Sequence, residues 1–74
     1  MSAEVWLRFN LVSSRLALTV RDFESCVELT VWTSVRSLDE LGEKARMLVV
    51  RAIDRLRERN ASRKTIELLE KWLR

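Results

Sequence analysis

The sequence has no proline, no histidine and no tyrosine, a single glycine (Gly42) and a single cysteine (Cys26). Each absence removes a class of structure or chemistry. Without proline, and with one glycine, the composition does not suit a flexible linker, a disordered tail or a glycine-rich phosphate loop. One cysteine cannot close an intrachain disulfide, and there is no cluster of metal-ligating residues. The lone cysteine and the lack of a signal-like segment imply a reducing, cytoplasmic setting. No apolar run approaches the roughly 18 residues that a spanning helix needs, so no membrane partner is expected. Cys26 has no histidine to activate it, and the general bases and nucleophiles of most enzymes are missing. The expectation is a non-catalytic chain with no cofactor and no small-molecule substrate.

What is present is apolar residues and arginine. Seventy-four residues, 47% of them hydrophobic, make one domain near the lower limit for a self-sufficient core. Chains of this size often gain stability by oligomerising or by docking on a partner. The net charge is +3, unevenly spread. The stretch "RAIDRLRERNASRK", residues 51–64, holds six basic and two acidic side chains, and the rest of the chain eight and nine. All of the positive excess therefore lies in this stretch. Arginine outnumbers lysine eleven to three, which suits planar, bidentate pairing with carboxylate or phosphate.

The first half alternates with period two, the signature of half-buried strands. In "EVWLRFNLV" Val5, Leu7, Phe9 and Leu11 share one face, opposite Glu4, Trp6, Arg8 and Asn10. After a tight turn at Ser13–Ser14, "RLALTVR" places Leu16, Leu18 and Val20 on the apolar face. A second turn at "DFES" leads into "CVELTVWTSVR", whose Val27, Leu29, Val31, Thr33 and Val35 alternate with Cys26, Glu28, Thr30, Trp32, Ser34 and Arg36. The period then changes to that of a helix. "SLDE" reads as a capping box, with Ser37 as N-cap and Glu40 reaching back to it. Leu38, Leu41, Ala45, Leu48, Val49, Ala52, Ile53 and Leu56 form an apolar stripe along a helix over 38–59. Asn60 suits a C-cap, and Ser62 suits the N-cap of a short second helix with Ile66, Leu69, Trp72 and Leu73 on its apolar face. A single helix over 38–73 is the other reading, because Ile66 and Leu73 stay in heptad phase with Leu38, Ala45 and Ala52. The predicted fold is α+β: a three-stranded antiparallel meander, an amphipathic helix on its apolar face and a short C-terminal helix (β-β-β-α-α). The predicted core comprises Val5, Leu7, Phe9, Leu11, Leu16, Leu18, Val20, Val27, Leu29, Val31, Leu41, Ala45, Leu48, Ala52, Ile53 and Leu56.

Two surfaces are candidates for function. The polar sheet face carries Trp6, Arg8 and Trp32, and the C-terminus adds Trp72 and Leu73. Tryptophan and arginine on an open face suit a protein interface, with a second copy or with a different protein. They also suit base stacking, but a tight first turn would set the two sheet indoles at opposite ends of the sheet, which favours the interface. The second candidate is a nucleic-acid patch of Arg55, Arg57, Arg59, Arg63 and Lys64. On a helical wheel much of its charge finds an acid one turn away: Asp54 beside Arg51 and Arg57, Glu58 beside Arg55, Glu67 beside Arg63 or Lys64, and Glu70 beside Arg74. What remains is a few free cations where the first helix ends. Cys26, at the expected start of a strand, reads as a small filler residue.

The strand followed by "SLDELGEKA" resembles the corresponding passage of HicB-like antitoxins. It is also similar to the last strand and helix of the small dimerising subunit of the KEOPS tRNA-modification complex. Each resemblance covers about a third of the chain, in the order strand, N-cap, amphipathic helix, and the chain is assigned to neither family. Both families are small non-catalytic components of nucleic-acid-related systems, and the resemblance extends that setting here by analogy. The expected function is a non-catalytic interaction module, a dimer or an accessory subunit of a larger, nucleic-acid-handling assembly. The alternative is a direct nucleic-acid-binding or regulatory protein, antitoxin-like or a small viral inhibitor, using the arginines of 51–64.

Overall fold

The computed structural model describes residues 3–74. Three strands, β1 (Ala3–Asn10), β2 (Arg15–Asp22) and β3 (Val27–Ser34), form an antiparallel sheet in the order β1-β2-β3. A single 3-10 turn, Leu38–Glu40, leads into helix α1 (Leu41–Glu58), and α2 (Arg63–Lys71) follows. This is the β-β-β-α-α order that the two periodicities predict, and the chain turns at Asn60.

Both hairpins run through four-residue loops of one design. Asn10 Oδ1 accepts from the Val12 and Ser13 N–H groups at 2.9 and 3.1 Å. Asp22 Oδ1 accepts from Glu24 N–H at 3.1 Å, and its Oδ2 from the Ser25 hydroxyl at 2.5 Å. Each loop ends on a left-handed residue, Ser14 with φ 55° and Cys26 with φ 58°. The first turn is therefore longer than Ser13–Ser14 alone, and β1 stops at Asn10, because an Asx side chain binding the next N–H groups ends the strand. Leu11 is accordingly 77% exposed in the loop rather than in the core. Cys26 belongs to the second loop, so β3 begins at Val27.

The core gathers Leu16, Leu18 and Val20 of β2, Leu29 and Val31 of β3, and Leu48, Val49, Ala52, Ile53 and Leu56 of α1. Leu69 of α2 and Val35 complete it. Helix α1 lies over β2 and β3. β1 is left at the margin, so Val5 and Phe9 are half-buried and Leu7, expected in the core, is 49% exposed.

The helix termini decide how the second layer is assembled. Ser37 makes no side-chain cap; instead Glu40 Oε1 accepts from Arg36 N–H at 2.8 Å. The tighter 3-10 turn displaces the capping partner by one residue, and that hydrogen bond holds the Glu40 carboxyl below its usual range. At the other end, Asn60 N–H donates to Arg57 O at 3.2 Å and Ala61 N–H to Leu56 O at 3.0 Å. Asn60 is left-handed at φ 58°, and the pair of bonds is a Schellman motif. Ser62 then caps α2, its Oγ accepting from Thr65 N–H at 3.4 Å. The junction is tied to the sheet by Asp22, 1% exposed, whose Oδ2 accepts from Ser62 N–H at 2.7 Å.

Candidate interaction surfaces on the sheet face and its edges

The face of the sheet away from the helices is uncovered. Its cross-strand rows run Asn10–Arg15–Ser34, Arg8–Ala17–Trp32, Trp6–Thr19–Thr30 and Glu4–Arg21–Glu28. Trp6 and Trp32 thus stand in neighbouring rows, on the two outer strands, rather than at opposite ends of the sheet. The longer loop shifts the β1–β2 register by two residues from that of a tight turn, which keeps the faces but moves Trp6 opposite Thr19. Between the indoles lie small side chains, with the Thr19 and Thr30 hydroxyls 2.9 Å apart across the floor. Trp6, Arg8, Ala17, Thr19, Arg21 and Thr30 line a shallow depression there.

Each indole carries a guanidinium. Arg15 sits 4.3 Å from the Trp32 ring centroid, and Arg21 5.1 Å from that of Trp6. These are cation–π distances, and they hold the half-exposed rings in place. Arg21 is also paired with Glu28. Arg8 is exposed and has no acidic partner among the described residues. Arg36, expected on this face, lies beyond β3 instead.

The basic stretch is dispersed. Arg51 donates to the Trp32 carbonyl at 3.3 Å and Arg59 to the Glu28 carbonyl at 3.1 Å. Carbonyls two residues apart on a strand face the same side, so the Thr30 carbonyl points to the same edge, where Arg55 lines the gap beside Thr30. The i, i+4 row Arg51–Arg55–Arg59 thus lies along the free edge of β3. Arg57 points to the other flank of α1 and bonds Glu70 of α2 at 2.9 Å. Arg63 and Lys64 are exposed at the start of α2. The five residues expected to form one phosphate patch are therefore split: Arg55 and Arg59 line the β3 edge, while Arg57 and Arg63 share a cleft with Glu67 and Glu70 on the other flank. Among the described residues the ion pairs are Arg21–Glu28 and Arg57–Glu70. The one-turn pairs expected along the helices are not formed; exposed pairs of that kind are weak, and Arg51 and Arg59 reach strand carbonyls instead.

At the C-terminus Leu73 packs against the margin of the chain's own core, and Trp72 is 63% exposed. Among the described residues no group of histidine, cysteine, aspartate and glutamate is placed to hold a metal ion. No helix among them is long and apolar enough to cross a membrane. The guarding of β3 by arginines was not foreseen. Its only trace in the sequence is the run of like charges at Arg51, Arg55 and Arg59, which makes sense only with an acceptor opposite it. Comparison with known protein families, with curated proteins and with solved structures finds no match.

Proposed function

We propose that the chain is a small non-catalytic interaction module, an accessory subunit that docks its open sheet face on a partner protein in a cytoplasmic setting. The observation that carries this reading is the uncovered face itself, with Trp6 and Trp32 braced by Arg21 and Arg15 around a floor of small residues. Rigid aromatic anchors beside arginine are what interface hot spots are made of. The chemistry suits a partner that inserts an apolar or aromatic side chain between the indoles and sets a carboxylate against Arg8. Base stacking is less well supported, because on each indole a guanidinium takes up ring surface that a base would use. Glu4 and Glu28 also offset most of the face's positive charge. Binding of nucleic acid through Arg55, Arg57, Arg59, Arg63 and Lys64 is the competing reading, and the dispersal of those side chains counts against it. The exposed, unpaired thiol of Cys26 is in keeping with a reducing compartment.

A photo-crosslinking residue in place of Thr30, introduced in the native host, tests the docking reading. The expected product is a covalent adduct with one protein, lost when Trp6→Ala and Trp32→Ala are combined although the thermal midpoint barely moves. Adducts to nucleic acid, or none, would overturn it.

A further inference from the structure

We propose that two copies of this chain pair antiparallel along β1, two-fold symmetric about Trp6, to make one continuous six-stranded sheet. This pairing uses the edge of the sheet and needs nothing docked on the open face, although it brings the Trp6 anchors of that face side by side. The two edges are treated differently. That of β3 is guarded by Arg51 and Arg59, which take up its carbonyls. Among the described residues that of β1 has no such guard. The Ser14 carbonyl accepts from Val35 N–H at 2.8 Å, so even-numbered positions at β2 face β3 and odd ones face β1. With Trp6 opposite Thr19, the even residues of β1 then face β2, and Ala3, Val5, Leu7 and Phe9 turn their backbone groups outward. Among the described residues no hydrogen bond reaches the outward groups of Val5, Leu7 or Phe9. An unguarded eight-residue edge is a template for another strand.

The sequence of β1 identifies the strand. Pairing outward groups with outward groups, side chains on matching faces, requires that paired residue numbers have an even sum. With the axis at Trp6, Glu4 of each copy lies opposite Arg8 of the other, and these are the only two charges on β1. Val5 then lies opposite Leu7, which covers a leucine left 49% exposed in the single chain. The two Trp6 indoles meet across the axis. Moving the axis to Leu7 would set Glu4 against Asn10, and moving it to Val5 would set Glu4 against Trp6. Only the axis at Trp6 places each charge against its opposite, and opposite charges across strands stabilise a pairing that like charges disfavour.

Light scattering from micromolar to millimolar concentration should give a mass of twice 8.7 kDa. Glu4→Arg alone, or Arg8→Glu alone, should weaken the dimer about tenfold, since each puts like charges opposite one another twice. The two reversals combined should restore it. Thr30→Lys, on the open face of β3, should leave the mass unchanged. A monomer at every concentration overturns the proposal, and so does a double reversal weaker than either single one. Loss of the dimer in Thr30→Lys, with the charge reversals silent, would place the contact on the open face and overturn it too.

Discussion

At the scale of single residues, Asp22 does the most with the least exposure. Burial by itself would push its carboxyl up, but hydrogen bonds from Ser25, Ser62 and Glu24 outweigh it and hold the pKa at about 2, below the ordinary 3.8. A folded-state pKa below the unfolded one means that the stabilisation, about 2 kcal/mol, is complete above the ordinary value. It is lost as pH falls from about 4 through about 2. Asp22→Asn should lower the thermal midpoint by about 10 °C at neutral pH. The gap from the native chain should narrow below pH about 3, as circular dichroism melts at both pH values will show. Cys26 makes the opposite case. It is exposed and held at φ 58°, where a Cβ is crowded and glycine is at ease. Cys26→Gly should therefore stabilise by about 0.5 kcal/mol, a rise of a few degrees in the same assay.

At the scale of elements, the arginine row on α1 explains how an open sheet ends on one side. A helix bearing Arg51, Arg55 and Arg59 in line repels itself slightly when alone. Set along β3, the row meets the carbonyls of Glu28 and Trp32. Arg51→Ser, Arg55→Ser and Arg59→Ser together should leave the fold intact but strip that edge. Sedimentation should then show species larger than any formed by the native chain, growing with concentration. The elements themselves were largely legible in the sequence. Alternation fixed the faces of all three strands, and Asn60 and Ser62 marked the break between the helices because their caps are local chemistry. The loop lengths were not legible, since Asn10 and Asp22 act through hydrogen bonds to the residues that follow, which periodicity does not register. The cover over β1 was not legible either. Leu7 alternates as well as Leu18 does, and only the placement of α1 over β2 and β3 leaves one half exposed and the other at 0%.

At the scale of the whole molecule, α2 is part of the core and not an appendage. Leu69 is 1% exposed, and Leu73 and Ile66 pack against the same core. Leu69→Ala should cost about 3 kcal/mol, against a total of about 4–11 kcal/mol for a chain of this length. Urea titration should show the midpoint falling by about a quarter or more. The sequence placed Leu69 on the apolar face of the second helix but could not say whether that face turns inward or toward a partner. The turn at Asn60 and the tether at Ser62 settle it. That tether joins residues 40 apart in the chain. Closing so long a loop is entropically expensive early in folding, so the Asp22–Ser62 contact should form only after the rate-limiting barrier is crossed. Stopped-flow kinetics of Asp22→Asn should then show faster unfolding with a nearly unchanged folding rate. The buried carboxylate would in that case govern how long a folded molecule lasts, and leave almost untouched how quickly it is made.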